Sequence, residues 1–400
     1  QLHVGTVLEG SVRTFGDRIR VTAQLVNVED GYPLWSERFD RQMDDIFAIQ
    51  DEICLAIVDN LKVRLLVQER EKLEVHHTVN QEAYRLYLKG RYFWDRRHHG
   101  GMDLALTSFQ RAIEVDPLYA EPYVGIADAY GLKAHFGFAP LQEVCPKARA
   151  AAEKALQLDE SLGPAHVSLA WIKMIWDWDW EGAEKEFKLG LELSPDYATG
   201  HEWYAFLLAN VDRHDEALAH MSRALELDPL SLVFHMAAGV LHNKLTGTEK
   251  SEEMFRKALE MDPGFTGAHL YRAFTLGSYG KFEESIRSAR QAVANLGRQM
   301  CALGYLGWAL GLNGQVEEAQ EILAEMEERV SEEGPENSFF KSLVELGLGR
   351  KEQCLKSLEA AAAVHGCHLW AMGVFPNGVF DELSDEPRFQ EVLELSLIHI

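Results

Sequence analysis

Three short runs, LELSP, LELDP and LEMDP, end at Pro195, Pro229 and Pro263, so one local pattern returns every 34 residues. A fixed period of that length marks a stacked array, in which each unit is one supersecondary element that cannot bury its apolar face alone. Neighbouring units must therefore stack to make a continuous core. A fourth run, IEVDP, ends at Pro117 and carries the pattern towards the N-terminus. The small residues keep step with the period. If Pro229 is position 32 of a unit, Ala205, Ala217 and Ala224 fall at positions 8, 20 and 27, and Pro263 likewise places Gly239, Phe255 and Ala258 at 8, 24 and 27. Gly314 in a turn fixes a third register, with Gly307, Ala319 and Leu323 at 8, 20 and 24. Small residues at these places let two helices of a pair cross at close range, where a larger side chain would overpack the contact.

The period and the crossing residues resemble tetratricopeptide repeats. Eight units are expected between about 80 and 364. The first holds Gly90, Ala105, Phe109 and Ala112, with three extra residues around Arg96 to Gly101. The second holds Tyr123, Ala127, Tyr130, Ala148 and Ala155, with a nine-residue insertion around Phe136 to Pro146. Ala183 and Phe187 belong to the third, behind the aromatic run Trp176 to Trp180; Ala273, Gly280, Ala289 and Ala292 belong to the sixth, and Gly349, Leu358 and Ala361 to the eighth. The resemblance implies a right-handed superhelix whose first helices line a concave groove that receives a protein or peptide partner. The inward positions 5 and 9 are Glu202 and Phe206, then Met236 and Val240, then Leu270 and Phe274. That stripe is mostly apolar, which argues against a Lys and Asn clamp for a peptide carboxylate and for a hydrophobic or amphipathic helical partner. The alternative use of the same residues is packing between neighbouring units. Glu226 and Asp228 are expected at exposed second-helix ends, where substitution does little.

Before the array, Val7 to Arg13 and Arg18 to Val28 read as a hairpin around a turn at Thr14 to Asp17, with Ile19, Val21, Ala23 and Leu25 on one face. Pro33 to Phe39 extends the sheet, and Ile46, Ile49, Ile53, Ala56 and Ile57 recur at helical spacing. The runs VLEGSVR, RIRVTAQLVNVEDGYPLWSERFD and DIFAIQDEI resemble the second half of the TolB-type α/β domain of bacterial proteins that carry an adenylate cyclase, kinase or winged-helix domain upstream. The resemblance covers residues 4 to 65 and implies an N-truncated domain at 1–66, a linker at 67–79, and a start cut from a longer chain. The tail at 365–394, with Phe380, Asp381, Leu383, Pro387, Arg388 and Phe389, resembles the capping segment that follows such repeats. The last six residues, LSLIHI, match a translated sequencing adaptor. The expected fold is therefore mostly α, a tetratricopeptide solenoid preceded by a small partial α/β domain of hairpin plus helix.

Lys and Arg number 39 against 63 Asp and Glu, a formal net charge of −24, so a phosphate backbone is repelled and direct nucleic-acid contact is not expected. No run reaches the ~18 apolar residues of a membrane span. Five cysteines (Cys54, Cys145, Cys301, Cys354, Cys367) lie far apart without paired spacing, as reduced thiols do. His365, Cys367 and His368 lack a fourth zinc donor, and His76-His77 and His98-His99 read as loop histidines. The Trp176 to Trp180 run lacks the donor spacing of a calcium loop. Neither a nucleophile elbow nor a phosphate loop occurs. The expectation is a segment with no catalytic activity, cofactor or metal: a scaffold and regulatory region of a bacterial signalling protein, cytoplasmic, or periplasmic if a membrane span precedes it. Homo-oligomers are compatible with this reading. Alternatives are the sensory half of an adenylate cyclase or serine/threonine kinase, or the effector-sensing part of a winged-helix regulator.

Overall fold

The computed structural model describes residues 6–15, 18–28, 33–42, 53, 56, 80–95, 99–333, 335–364 and 379–397. The linker at 67–79, the pair His76-His77, His98, the cluster of His365, Cys367 and His368, and all of the helix expected after Asp45 except Ile53 and Ala56 lie outside them. The chain divides into two compact units, Gln1–Arg85 and Leu86–Ile400.

In the first unit, β1 (Thr6–Phe15), β2 (Arg18–Asn27) and β3 (Pro33–Gln42) form an antiparallel meander in that order. Phe15 pairs with Arg18, so only two residues separate the strands, and Thr14 belongs to the ladder opposite Ile19 instead of to a four-residue turn. Ile19, Ala23 and Leu25 alternate onto the buried face of β2, as a half-buried strand requires. Phe39 lies opposite Val21 on the same face, and Ile53 and Ala56 pack against this patch. The register shifts between Leu25 and Val26, where Pro33 stands opposite Val26 and cannot donate to the ladder.

The helices form a stack of pairs: α1 (Gln81–Asp95) with α2 (His99–Val115), α3 (Glu121–His135) with α4 (Leu141–Leu158), α5 (Gly163–Ile172) with α6 (Trp180–Leu193), and α7 (Ala198–Asn210) with α8 (His214–Leu227). It continues with α9 (Leu232–Leu245) and α10 (Thr248–Met261), α11 (Thr266–Ser278) and α12 (Phe282–Leu296), α13 (Met300–Leu312) and α14 (Val316–Glu333), then α15 (Ser338–Gly347) and α16 (Lys351–Ala363). A final helix, α17 (Pro387–Leu397), sets Phe389 and Val392 into the core formed by α15 and α16. Its Arg388 reaches Glu359 at 2.6 Å and Glu352 at 3.0 Å.

First and second helices differ as their surroundings demand. Every residue of α7 from Thr199 to Asn210 is buried, because that helix lies between its own partner and its neighbours. In α8 only Ala217, Met221 and Ala224 are buried, a single stripe. A Cβ on Gly90 would meet the Phe109 ring at 2.3 Å, and one on Gly239 would meet the Phe255 ring at 2.7 Å. The nine-residue insertion is taken up largely by α4, which runs through Pro146; the carbonyl of Gln142, which Pro146 cannot serve, belongs to an exposed residue. The Trp176 to Trp180 run makes the α5 to α6 turn. Trp178 and Trp180 are buried, Asp177 and Asp179 are exposed, and Asp179 caps α6 by accepting the N–H of Gly182.

Candidate interaction site

The inward stripe is absorbed by the packing of the stack. Glu202, Phe206, Met236, Leu270 and Phe274 are all buried, and Val240 is half-buried between two apolar clusters. The array also turns back across itself. Trp94 of α1 meets Trp203 of α7, ring centroids 6.4 Å apart, and Trp171 of α5 stacks on the same ring at 4.7 Å. The His135 ring at the end of α3 lies 3.1 Å from the Tyr271 hydroxyl of α11, and Gln142 of α4 donates to the Val364 carbonyl after α16. Phe274 stacks on Trp308 of α13 at 5.1 Å.

The expected crossing residues are buried. Ala105, Ala112, Ala183, Ala205, Ala217, Ala224, Ala258, Ala273 and Ala319 have no exposed surface, and Ala127 has 1%. Gly90, Gly239 and Gly307 are buried as well, with Val344 of α15 the nearest neighbour of a Cβ on Gly307, at 2.8 Å.

An open cavity of about 810 Å³ remains at one end of the first helices, a size suited to a peptide segment or small ligand. The last turn of α1 forms one wall with Arg91, Tyr92, Trp94 and Asp95. The starts of α7, α9 and α11 form the opposite wall, each led in by the turn that ends the preceding repeat. Leu232, Val233, Phe234 and Phe265 make an apolar floor, while Leu230 and Tyr92 stand 59% and 55% exposed at the rim. Asp228 and Asp262 shape the rim by accepting the backbone N–H of Leu230 at 3.2 Å and of Gly264 at 2.9 Å. Asp228 is exposed at the end of α8, as its sequence position implies.

Arg91 is held in place from below. Its Nη1 lies 3.2 Å from Oδ2 of Asp128, whose side chain is wholly buried, and its guanidinium lies 4.1 Å from the Trp94 ring centroid. The Ser168 hydroxyl donates to the other oxygen of Asp128. Burial works against the guanidinium charge, but Tyr197, Tyr87, Asp128 and Asp95 outweigh it, and the pKa is raised. A charge-assisted network thus joins α1, α3 and α5 behind the cavity.

Burial pushes the thiols of Cys145, Cys301 and Cys354 up to about 12, which keeps them protonated and unreactive. Among the described residues no three His, Cys, Asp or Glu side chains gather into a possible metal site. No described helix is long and apolar enough to cross a membrane. His99 opens α2 and does not lie in a loop.

No known protein-family profile matches the sequence. A protein of Rhizobium meliloti (strain 1021), named as a candidate adenylate cyclase, is 38% identical over 127 residues, which cover 32% of this chain and 22% of that relative. The matched stretch is therefore about a fifth of the relative's length. Among solved structures, a monomeric mutant of IFIT1 with Gppp-AAAA is 15% identical with a TM-score of 0.50, covering 88% of each chain. Yeast Tom70 is 17% identical with a TM-score of 0.46, covering 79% of this chain and 68% of its own. These similarities concern the fold alone. The chain is a tetratricopeptide-type helical solenoid preceded by a small three-stranded sheet.

Proposed function

We propose that this segment is a non-catalytic interaction and regulatory region of a bacterial signalling protein, and that it receives a protein or peptide partner at the cavity between α1 and the starts of α7, α9 and α11. The observation that carries this reading is the open apolar floor with large exposed side chains at its rim. Glu202, Phe206, Met236, Val240, Leu270 and Phe274 act in this reading as the layer that sets the shape of the groove. Residues 1–66 form part of a TolB-type domain, 365–394 close the last repeat, and the cytoplasm suits the buried thiols. The acidic surface disfavours nucleic acid.

A second reading makes the segment the sensory half of an adenylate cyclase; the Rhizobium meliloti similarity favours it. Peptides selected from a displayed library on the purified chain should lose at least ~10-fold in affinity to a Leu230→Arg variant, as expected for a side chain central to a contact. Equal binding would remove the site. The same preparation, given ATP and Mg²⁺, should form no cyclic nucleotide, and measurable turnover would overturn the non-catalytic reading.

A further inference from the structure

The cavity has a chemical polarity that narrows its occupant. Its floor is apolar, through Leu232, Phe234 and Phe265, and its rim carries the carboxylates of Asp95, Asp228 and Asp262. The only cation on its wall among the described residues, Arg91, lies against Asp128, a carboxylate with no exposed surface that depends on it for a counter-charge. That positive charge is used inside the fold. Asp228 and Asp262 each engage Oδ1 in the turn, which fixes the carboxylate and leaves Oδ2 for a ligand. The surplus of 63 acidic over 39 basic residues deepens the negative field around them.

The starts of α7, α9 and α11 pull in the opposite sense, since helix N-termini favour anions. The first turns of α7 and α9 are partly occupied, however. Ser231 accepts the N–H of Phe234 in α9, and the N–H of Gly200 bonds to the Tyr197 carbonyl in α7. The full charges of the carboxylates therefore outweigh the partial charges of the helix starts.

We propose that the occupant is a peptide segment that places a large apolar side chain on the Phe234 and Phe265 floor and a neighbouring lysine or arginine against Asp228 and Asp262. This rests on the reading of the cavity as a partner site and adds the partner's chemistry. Specificity comes from the rim and affinity from the floor. An acidic segment is rejected by like charge.

Three fluorescein-labelled decapeptides in a Ser-Gly background test this by anisotropy against the full chain: one with two leucines and two lysines, one with glutamates for the lysines, one with serines for the leucines. The first should bind at least ~10-fold tighter than either other and should weaken between ~50 and ~150 mM salt, as screened rim contacts do. Asp228→Asn with Asp262→Asn keeps both turn acceptors, and should cost about 5-fold and flatten the salt response. Leu230→Ser should also weaken binding, with circular dichroism melting showing that each variant is folded.

Equal or tighter binding of the glutamate peptide, or unchanged binding by the double variant, overturns the charge assignment. If that glutamate-peptide binding still falls in Leu230→Ser, the cavity remains a partner site and only the basic partner is lost. If no probe's binding depends on Leu230 or on the two aspartates, both readings fall together.

Discussion

At the crossing points, single atoms set how closely two helices approach. Position 20 of four successive units is Ala217, Ser251, Ser285 and Ala319, spaced by 34 residues and all without exposed surface. The two serines are accommodated because each hydroxyl donates to a first-helix carbonyl, Ser251 to Gly239 and Ser285 to Ala273, both at 2.6 Å. Those carbonyls belong to position 8, so the same close crossing excludes bulk in the first and last of these units and is bridged by a hydroxyl in the middle two. Ala217→Trp should therefore overpack the α7 to α8 crossing and cost about 1–3 kcal/mol. Calorimetry should show a lower and broader transition, and an unchanged melting curve would contradict the assigned register.

At the scale of elements, four consecutive first helices, α5, α7, α9 and α11, are each tied to the turn before them by a histidine. His166, His201 and His269 direct Nε2 to the carbonyl six residues earlier, at Glu160, Pro195 and Pro263, over 2.9 to 3.2 Å. His235 holds the equivalent place and bonds through Nδ1 to Ser231. This ladder was visible in the sequence as a histidine at each 34- or 35-residue step, but only the structure gives it a partner. Arginines also bridge consecutive units, Arg149 to Asp177, Arg223 to Asp196 and Arg298 to Glu325, as half-exposed pairs worth up to ~1 kcal/mol each.

One pair of histidines joins α7 to α8, His201 Nδ1 and His220 Nδ1 lying 2.8 Å apart. Burial, and then the nearby His201, lower the His220 pKa from 6.5 to about 4, against the opposing pull of Glu216. The fold thus prefers neutral His220. Its contribution is complete above pH ~6.5 and is lost as pH falls towards ~4, because the unfolded chain takes up the proton first. The ring is partly solvated, so the effect should be on the order of 1–2 kcal/mol. Urea denaturation at pH 7.5 and 5.0 should show this loss, and His220→Gln should flatten it; an equal pH dependence in both proteins would refute the account.

Across the repeat unit, Tyr271 packs against three separate apolar clusters while its hydroxyl meets His135. It links pairs far apart in sequence, which makes a nearest-neighbour stack behave more cooperatively than a one-dimensional array. Tyr271→Ala should cost about 2–4 kcal/mol and split calorimetric unfolding into two steps. Tyr271→Phe should keep one transition and lose only ~1 kcal/mol. A single sharp transition in Tyr271→Ala would show that the clusters do not depend on this bridge.

The sequence alone determined the helix-pair architecture, because the spacing of prolines and of residues such as Ala205 and Ala217 is a local rule that each repeat obeys with its own neighbours. It also separated the strands from the solenoid through the alternation of Ile19, Ala23 and Leu25. Tertiary structure decided what the inner face does. Phe206, Leu270 and Phe274 read as groove residues one repeat at a time, yet all three are buried in the stack as it turns back across itself. The same turn places Arg91 and Tyr92 of the first pair opposite Leu230 and Phe265 of the fourth-to-fifth and fifth-to-sixth repeat junctions. No local pattern encodes that meeting, since it follows from the accumulated rotation of successive units.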